Sequence, residues 1–307
     1  MARNVVLHLT GVHGVEAYTG SAVQLATLAA LPPLQEDTAL VLLHAFNPWG
    51  MAWRRRTNEN NVDLNRNCLA PGDSWMGSPA LYRALDPLIN PASPPARDFF
   101  ALRALLASLR HGFHAVKQAV AEGQYDYPKG LFYGGATLEE GPAAFCRWIL
   151  DALGQCDRLL VVDCHTGLGK TGEDLVLADA ESITRPAPQL SRLLGRDLHD
   201  PSREAGAAYT IRGALGDVFH RLLPRASTDY VLQEIGTAPV LEVFHALREE
   251  NRWHHYGDGD LMHPAKQRLM NALCPASPAW RERAVTLGTT LLRSACGAVS
   301  CDDSVER

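Results

Sequence analysis

Two histidines and two glutamates fall where short apolar runs of the sequence end. His13 and Glu16 share one turn, Gly11-Val12-His13-Gly14-Val15-Glu16, directly after the run Val5 to Thr10. His165 follows the run Leu159 to Cys164, and Glu234 lies near the end of the run Tyr230 to Ile235. An HxxE pair on a turn and a second histidine from a distant strand end match a catalytic zinc set: two imidazoles, one carboxylate and a position left for water. Gly11 and Gly14 let the backbone bend so that His13 and Glu16 wrap a single ion. HxxE alone recurs by chance, and a lone histidine after a strand is more often structural. The joint placement beyond strand ends carries the reading.

A fourth run, Leu40 to Phe46, leads into Asn47-Pro48, then Arg54-Arg55-Arg56, then Val62-Asp63-Leu64-Asn65-Arg66-Asn67. Arginine suits a carboxylate because its planar fork donates two parallel hydrogen bonds. The plainer reading of Asp63 and Arg66 is an ordinary loop ion pair.

The four runs are nearly continuously hydrophobic, as strands buried on both faces are. Helical patterns separate them: Gly20 to Leu31, Arg97 to Glu122, Pro142 to Leu153 and Pro278 to Cys296. Strands alternating with helices predict an α/β fold, a mostly parallel or mixed sheet with helices on both faces. Ligands of such sheets bind beyond the carboxyl ends of the strands, where the two histidines, two glutamates and the arginines gather. No linker is visible, so 1–307 reads as one domain with surface insertions at about 69–95 and 125–141.

Composition narrows the class. The chain has 307 residues, 46% hydrophobic and 21% charged, with net charge −5. That is globular composition without the basic footprint of a nucleic-acid or anionic-membrane binder. No apolar run is long enough to span a bilayer, and the N-terminus lacks the form of a signal peptide. The seven cysteines include no CxxC pair, which argues against a disulfide framework and for a reducing, cytoplasmic location.

The ordered set Gly-Val-His-Gly-Val-Glu (11–16), Asn47-Pro48, Val-Asp-Leu-Asn-Arg-Asn (62–67), Asp-Cys-His-Thr-Gly (163–167) and Glu-Ile-Gly-Thr (234–237) resembles the signature of the zinc carboxypeptidase superfamily. That superfamily includes carboxypeptidase A-like peptidases and the succinylglutamate desuccinylase/aspartoacylase deacylases. The sequence is most similar to a mostly bacterial, uncharacterised branch with the same Tyr-Gly-Gly turn and His-Thr-Gly-x-Gly loop. The resemblance spans about residues 4 to 260. It implies a zinc carboxypeptidase-like (phosphorylase/hydrolase-like) fold, with one zinc per chain on His13, Glu16 and His165. It further implies Glu234 as catalytic glutamate and Asn65 and Arg66 as carboxylate holders. The arginine that polarises the scissile carbonyl falls among Arg54, Arg55 and Arg56; Arg56 is favoured, with Arg55 a further substrate contact.

The implied activity is zinc-dependent hydrolysis of an amide in a small carboxylate-bearing peptide. The alternative is deacylation of an N-acyl amino acid. The sequence starts about ten residues before the first ligand, whereas relatives usually have a longer N-terminal segment. An exposed sheet region and homo-oligomers are therefore expected, and a non-catalytic remnant is the reading of another class.

Several signals are set aside. Gly167 to Gly172 fits GxGxxG, but Glu173 to Leu177 looks like a strand, where a dinucleotide site needs a helix. His254, His255 and His263 lack ligand spacing and read as surface or rim residues. Glu242 rivals Glu234 but falls past Pro239 on an expected helix. Cys164 reads as a buried strand-end thiol.

Overall fold

The computed structural model describes residues 2–201 and 210–301. Among these, six strands form one mixed sheet. They are β1 (Asn4–Thr10), β2 (Thr38–Leu43), β3 (Arg158–Thr166), β4 (Asp174–Leu177), β5 (Leu198–His199) and β6 (Ser227–Ile235). Their order is β2-β1-β3-β6-β4-β5, and every neighbouring pair is parallel except β4 with β6. The α/β architecture read from the alternating runs is the architecture of the molecule.

Eleven helices accompany the sheet in the described residues: α1 (Ala17–Ala29), α2 (Pro48–Ala52), α3 (Ala80–Ile89), α4 (Phe100–His111), α5 (Phe113–Ala121), α6 (Glu140–Trp148), α7 (Ala187–Leu194), α8 (Asp217–Leu222), α9 (Val240–Tyr256), α10 (Pro264–Leu273) and α11 (Pro278–Ala298). Alternation along the strands sends side chains to two cores. Val5, Leu7 and Leu9 of β1, with Leu159 and Val161 of β3, pack against Phe145, Val218 and Phe219 from α6 and α8. On the other face Val6, Leu160, Val162 and Val231 meet α7 and α11 through Leu190, Leu194, Leu291 and Leu292. A third cluster joins α3, α5, α9 and α10 through Tyr82, Ile89, Val120, Leu247 and Leu269.

Three expectations change in detail. The run Leu40 to Phe46 stops being strand at Leu43, because Ala45 takes a left-handed conformation (φ 50°) and turns the chain out of the sheet. The single helix expected over 97–122 is two, broken at Gly112, whose φ of 84° suits glycine alone. The 69–95 segment contains α3, and part of 125–141 is packed inward. Tyr125, Leu131, Phe132 and Tyr133 are buried, and Asp63 N–H donates to the Tyr133 carbonyl.

Candidate metal centre

The site is built at the carboxyl ends of β1, β3 and β6. Strand β1 ends at Thr10, and Gly11 turns the chain with a φ of 73°. Gly14 lies so close to the start of α2 that a Cβ there would meet the Gly50 carbonyl carbon at 2.1 Å. This close approach places His13 and the turn Gly14–Glu16 over the sheet edge. Asn47 secures the other side: its side chain accepts from Gly50 N–H and caps α2, with Pro48 in the first turn. From β3 comes His165, and the β3–β6 register sets Glu234 beside it.

His13, Glu16 and His165 are all buried and their donor atoms converge. His13 Nδ1 lies 2.9 Å from Glu16 Oε1 and 3.2 Å from His165 Nδ1, and His165 Nδ1 is 3.3 Å from Glu16 Oε2. Zinc bonds of about 2.0–2.2 Å in a tetrahedron put ligand atoms roughly 3.3–3.5 Å apart. The two imidazole nitrogens meet that spacing, each lies near a different Glu16 oxygen, and one ligand atom from each of the three residues falls within 4.8 Å of the others.

The opposite edges of both imidazoles explain why the triangle needs a cation. His13 Nε2 is 3.2 Å from Asp63 Oδ1, and His165 Nε2 is 3.1 Å from Asp163 Oδ1. The His13–Asp63 contact is a hydrogen bond, whereas the Asp163 charge lies beside His165 Nε2 without an aligned one; a carboxylate at Nε2 favours the proton there and frees Nδ1 for a metal, the arrangement of metal-bound histidines. Glu16 Oε2 accepts from Thr166 N–H, while Oε1 is buried without a hydrogen-bond donor. Both Nδ1 atoms and the Glu16 carboxylate thus face one region, which favours a positive charge there, a proton or a metal ion. The electrostatics agree. Burial raises the Glu16 pKa, but His13 and His165 outweigh it and hold the carboxyl far below its usual range. Burial would lower His165, yet Asp163 and Glu16 lift it well above the ordinary value. The residues present fit zinc.

Asp163 and Asp63 are themselves held. Tyr230 O–H donates to Asp163 Oδ2 at 2.7 Å, and Arg56 Nε–H donates to Asp63 Oδ2 at 2.9 Å. Sequence reasoning assigned no role to Asp163 or Tyr230. The available signal was spacing: Asp163 precedes His165 by two on one strand and so shares its face. The plainer alternative of an Asp63–Arg66 loop ion pair gives way to other partners: the hydrogen bonds and ion pairs of Asp63 are with His13, Arg56 and Asn65 N–H.

Glu234 is partly buried on the wall of the same cavity. Burial pushes its carboxyl up to about 7, opposed by His165 and reinforced by Glu16. Its Oε2 has no hydrogen-bond partner. Glu242 is exposed in the first turn of α9 and does not line this cavity. His254, His255 and His263 do not line it either, and His263 Nδ1 accepts from Ala265 N–H at the start of α10. Cys164 points away from His165 into a cluster with Ile235 and Trp280, where burial pushes its thiol up. The GxGxxG stretch connects β3 to β4 and opens no helix.

The three consecutive arginines separate. Arg56 faces the centre, with Nη1 3.6 Å from Glu16 Oε1 and its guanidinium over the Phe132 ring at 5.2 Å. Arg54 donates to the Leu261 carbonyl. Arg55 corrects the reading of it as a substrate contact: it is buried outside the cavity lining, bonded to Glu250, Asn61 and Asn251. Lys266 joins the same carboxylate at 2.6 Å. Removing one member of a buried, hydrogen-bonded charge set leaves the others uncompensated. Glu250→Leu is therefore expected to destabilise the fold by about 3–5 kcal/mol, measured by urea unfolding.

Asn65 and Arg66 lie on the buried turn Leu64–Arg66 and line the cavity. Asn65 Oδ1 accepts from Leu215 N–H. Arg66 donates from Nε and Nη2 to the Ala121 carbonyl and from Nη1 to the Asn65 carbonyl, with its guanidinium 5.5 Å from the Phe132 ring centre. The metal triangle, Glu234, Arg56, Asn65 and Arg66 all border one cavity of about 710 Å³.

Residues 1–287 match the family described as "Protein of unknown function (DUF2817)". No curated protein matches the chain. Among solved structures, the chain is similar to murein-tripeptide amidase MpaA from Escherichia coli O157, at 18% identity and a TM-score of 0.41, over 82% of this chain and 83% of that one. It is also similar to bovine thrombin-activatable fibrinolysis inhibitor in complex with tick carboxypeptidase inhibitor, at 10% identity and a TM-score of 0.48, over 96% and 82%. A third is carboxypeptidase A from Helicoverpa armigera, at 14% identity and a TM-score of 0.44, over 97% and 62%. Among the described residues, no helix is long and apolar enough to cross a membrane.

Proposed function

We propose that this chain, which belongs to the DUF2817 family, is a zinc-dependent hydrolase of an amide bond in a small substrate bearing a free carboxylate. The observation that carries the reading is the convergence of His13 Nδ1, His165 Nδ1 and a Glu16 oxygen, each imidazole backed by a carboxylate. It supports a resident metal; Glu234 on the same wall supports hydrolysis. When bound, zinc supplies a Lewis acid for the carbonyl oxygen and acidifies water. Asp63 and Asp163 hold the imidazoles in the ligating tautomer. Glu234 takes a proton from the attacking water and hands it to the leaving nitrogen. In this reading the Arg56 guanidinium, on the cavity wall beside Glu16, stabilises the negative charge that develops on the carbonyl oxygen.

The buried Arg66 guanidinium donates to the Ala121 and Asn65 carbonyls, and in this reading the remaining N–H on each terminal nitrogen binds the substrate carboxylate. Truncating one partner of such a desolvated pair costs roughly 2–5 kcal/mol, thirty- to several-thousand-fold. Arg66→Ala is expected to lose this in kcat/KM on a free-acid substrate and little on its amidated form. Native enzyme that cleaves both forms equally well would remove Arg66 from the role of anchor.

N-acyl amino acid deacylation is the second reading, since the same centre serves both. Hydrolysis of a panel of C-terminal peptides and N-acyl amino acids, with zinc content measured on the same sample, decides between them. Protein that neither holds zinc nor cleaves either set would be the non-catalytic remnant. A cytoplasmic location belongs to the proposal, supported by seven free cysteines. So does self-association: all six β2 residues are partly exposed and the strand pairs on one side only. Sedimentation velocity is expected to show dimers, and a monomer at high concentration counts against it.

A further inference from the structure

The cavity that borders the metal triangle is much larger than a scissile amide needs, and its far part is apolar. Phe100, Ala104 and Ala107 of α4, Val116 of α5 and Phe244 and Leu247 of α9 line it. Helix α4 faces this space the wrong way round for stability. Its inner side presents Ala104, Ala107 and Ser108, while Leu102, Leu105, Leu106 and Leu109 face solvent. Interiors close to near-crystalline density wherever side chains allow, so leucines turned inward would fill this space and stabilise the fold. Small residues under the roof keep it open. An open, stability-costing void continuous with a reactive centre is the mark of a binding chamber.

We infer that this chamber takes the unbranched acyl chain of an N-acyl amino acid, whose amide lies at the metal triangle and whose carboxylate meets Arg66. The inference rests on the second, deacylase form of the hydrolase reading and names its substrate class. The trough along α4 from Phe100 to Ser108 is about 12 Å long at 1.5 Å rise per residue, the span of three to four extended peptide residues. A peptide laid there would bury its N–H and C=O groups against a wall with few polar side chains, Ser108 and Lys117 with Thr210 beside α5. Unpaired buried peptide groups are costly, whereas a hydrocarbon chain has none. The cavity wall beside β4 carries Asp179, Glu181 and Asp217, which leaves the α4 side as the place for the chain.

Two arms test this on the intact, zinc-loaded protein. The first reads binding without chemistry: butanol, hexanol and decanol compete against a fluorescent apolar probe. Each added methylene should improve competition about fourfold, from about 0.8 kcal/mol per buried CH₂. Ala107→Trp, which fills the trough, should flatten that series, and Ala104→Leu serves if the first variant unfolds in circular dichroism. The second arm compares kcat/KM for acetyl, hexanoyl and decanoyl derivatives of one amino acid, where the same rise is expected. A flat alcohol series overturns the chamber even if acetyl substrates are cleaved. A rising alcohol series with hydrolysis indifferent to chain length overturns its role in substrate choice. Rising alcohol affinity with no hydrolysis of any N-acyl amino acid overturns the acyl occupant and the deacylase reading, while cleavage of C-terminal peptides by the same sample would leave the hydrolase reading standing.

Discussion

Glu234→Gln is expected to keep its zinc and lose on the order of 10² to 10⁴ in turnover, the range of a lost general acid–base. The substitution preserves shape and removes the proton-accepting oxygen, so an effect of that size without metal loss isolates proton transfer from metal binding. Burial pushes the Glu234 carboxyl up to about 7, in contact with a cavity that a bound cation would make more positive. A cation favours the carboxylate, so native kcat/KM should fall toward acid with an apparent pKa at or below 7. The reaction needs the ionised base, and so activity rises with pH through that value. In Glu234→Gln this acid limb should vanish from the residual rate. Glu242→Gln, altering an exposed carboxylate outside the cavity, should change neither rate nor pH profile. The reverse outcome would move the base to α9.

The strands that place the site were legible because they are buried on both faces and therefore continuously apolar. Strand β5 is only Leu198–His199, too short for any periodic signal. Helix α3 is hidden among the Pro, Gly and Ser residues that surround it, and α9 lies in a segment rich in charge, although its Arg248 to Arg252 stretch is buried. The charge there misleads because its partners are remote. Arg55 meets Glu250 across 195 positions of sequence, and the pair is invisible until the chain has folded. The same distance explains Arg55 itself, which sits in a run of three arginines that spacing alone cannot divide. Backbone conformation divides them: Arg54 has a φ of 51°, and the turn it makes sends its two followers in different directions. The His13 and Glu16 pair was legible for the opposite reason, since both come from one local turn. The carboxylates behind the histidines were harder to see, being ordinary members of a loop and a strand until the imidazoles lie against them.

His165→Ala is expected to abolish stoichiometric zinc and with it all measurable hydrolysis, while the fold survives. The sheet is already closed around the site by the β1–β3 and β3–β6 pairings, and the cores on both faces include none of the three ligands. A preformed scaffold of that kind does not depend on metal for folding, unlike small zinc modules. The outer carboxylates predict a graded companion result. Asp163→Asn keeps the side chain's shape beside His165 Nε2 but removes the charge 3.1 Å away that favours its proton, and changes of this type cost about 10–100-fold in metal affinity or activity. Tyr230→Phe, one step further out, removes only the donor to Asp163 Oδ2 and should cost less than Asp163→Asn. Zinc affinity measured by competition with a chelator, alongside circular dichroism, reads all three variants. The order His165→Ala, Asp163→Asn, Tyr230→Phe follows from distance to the metal. Full zinc occupancy in His165→Ala would place the ion elsewhere.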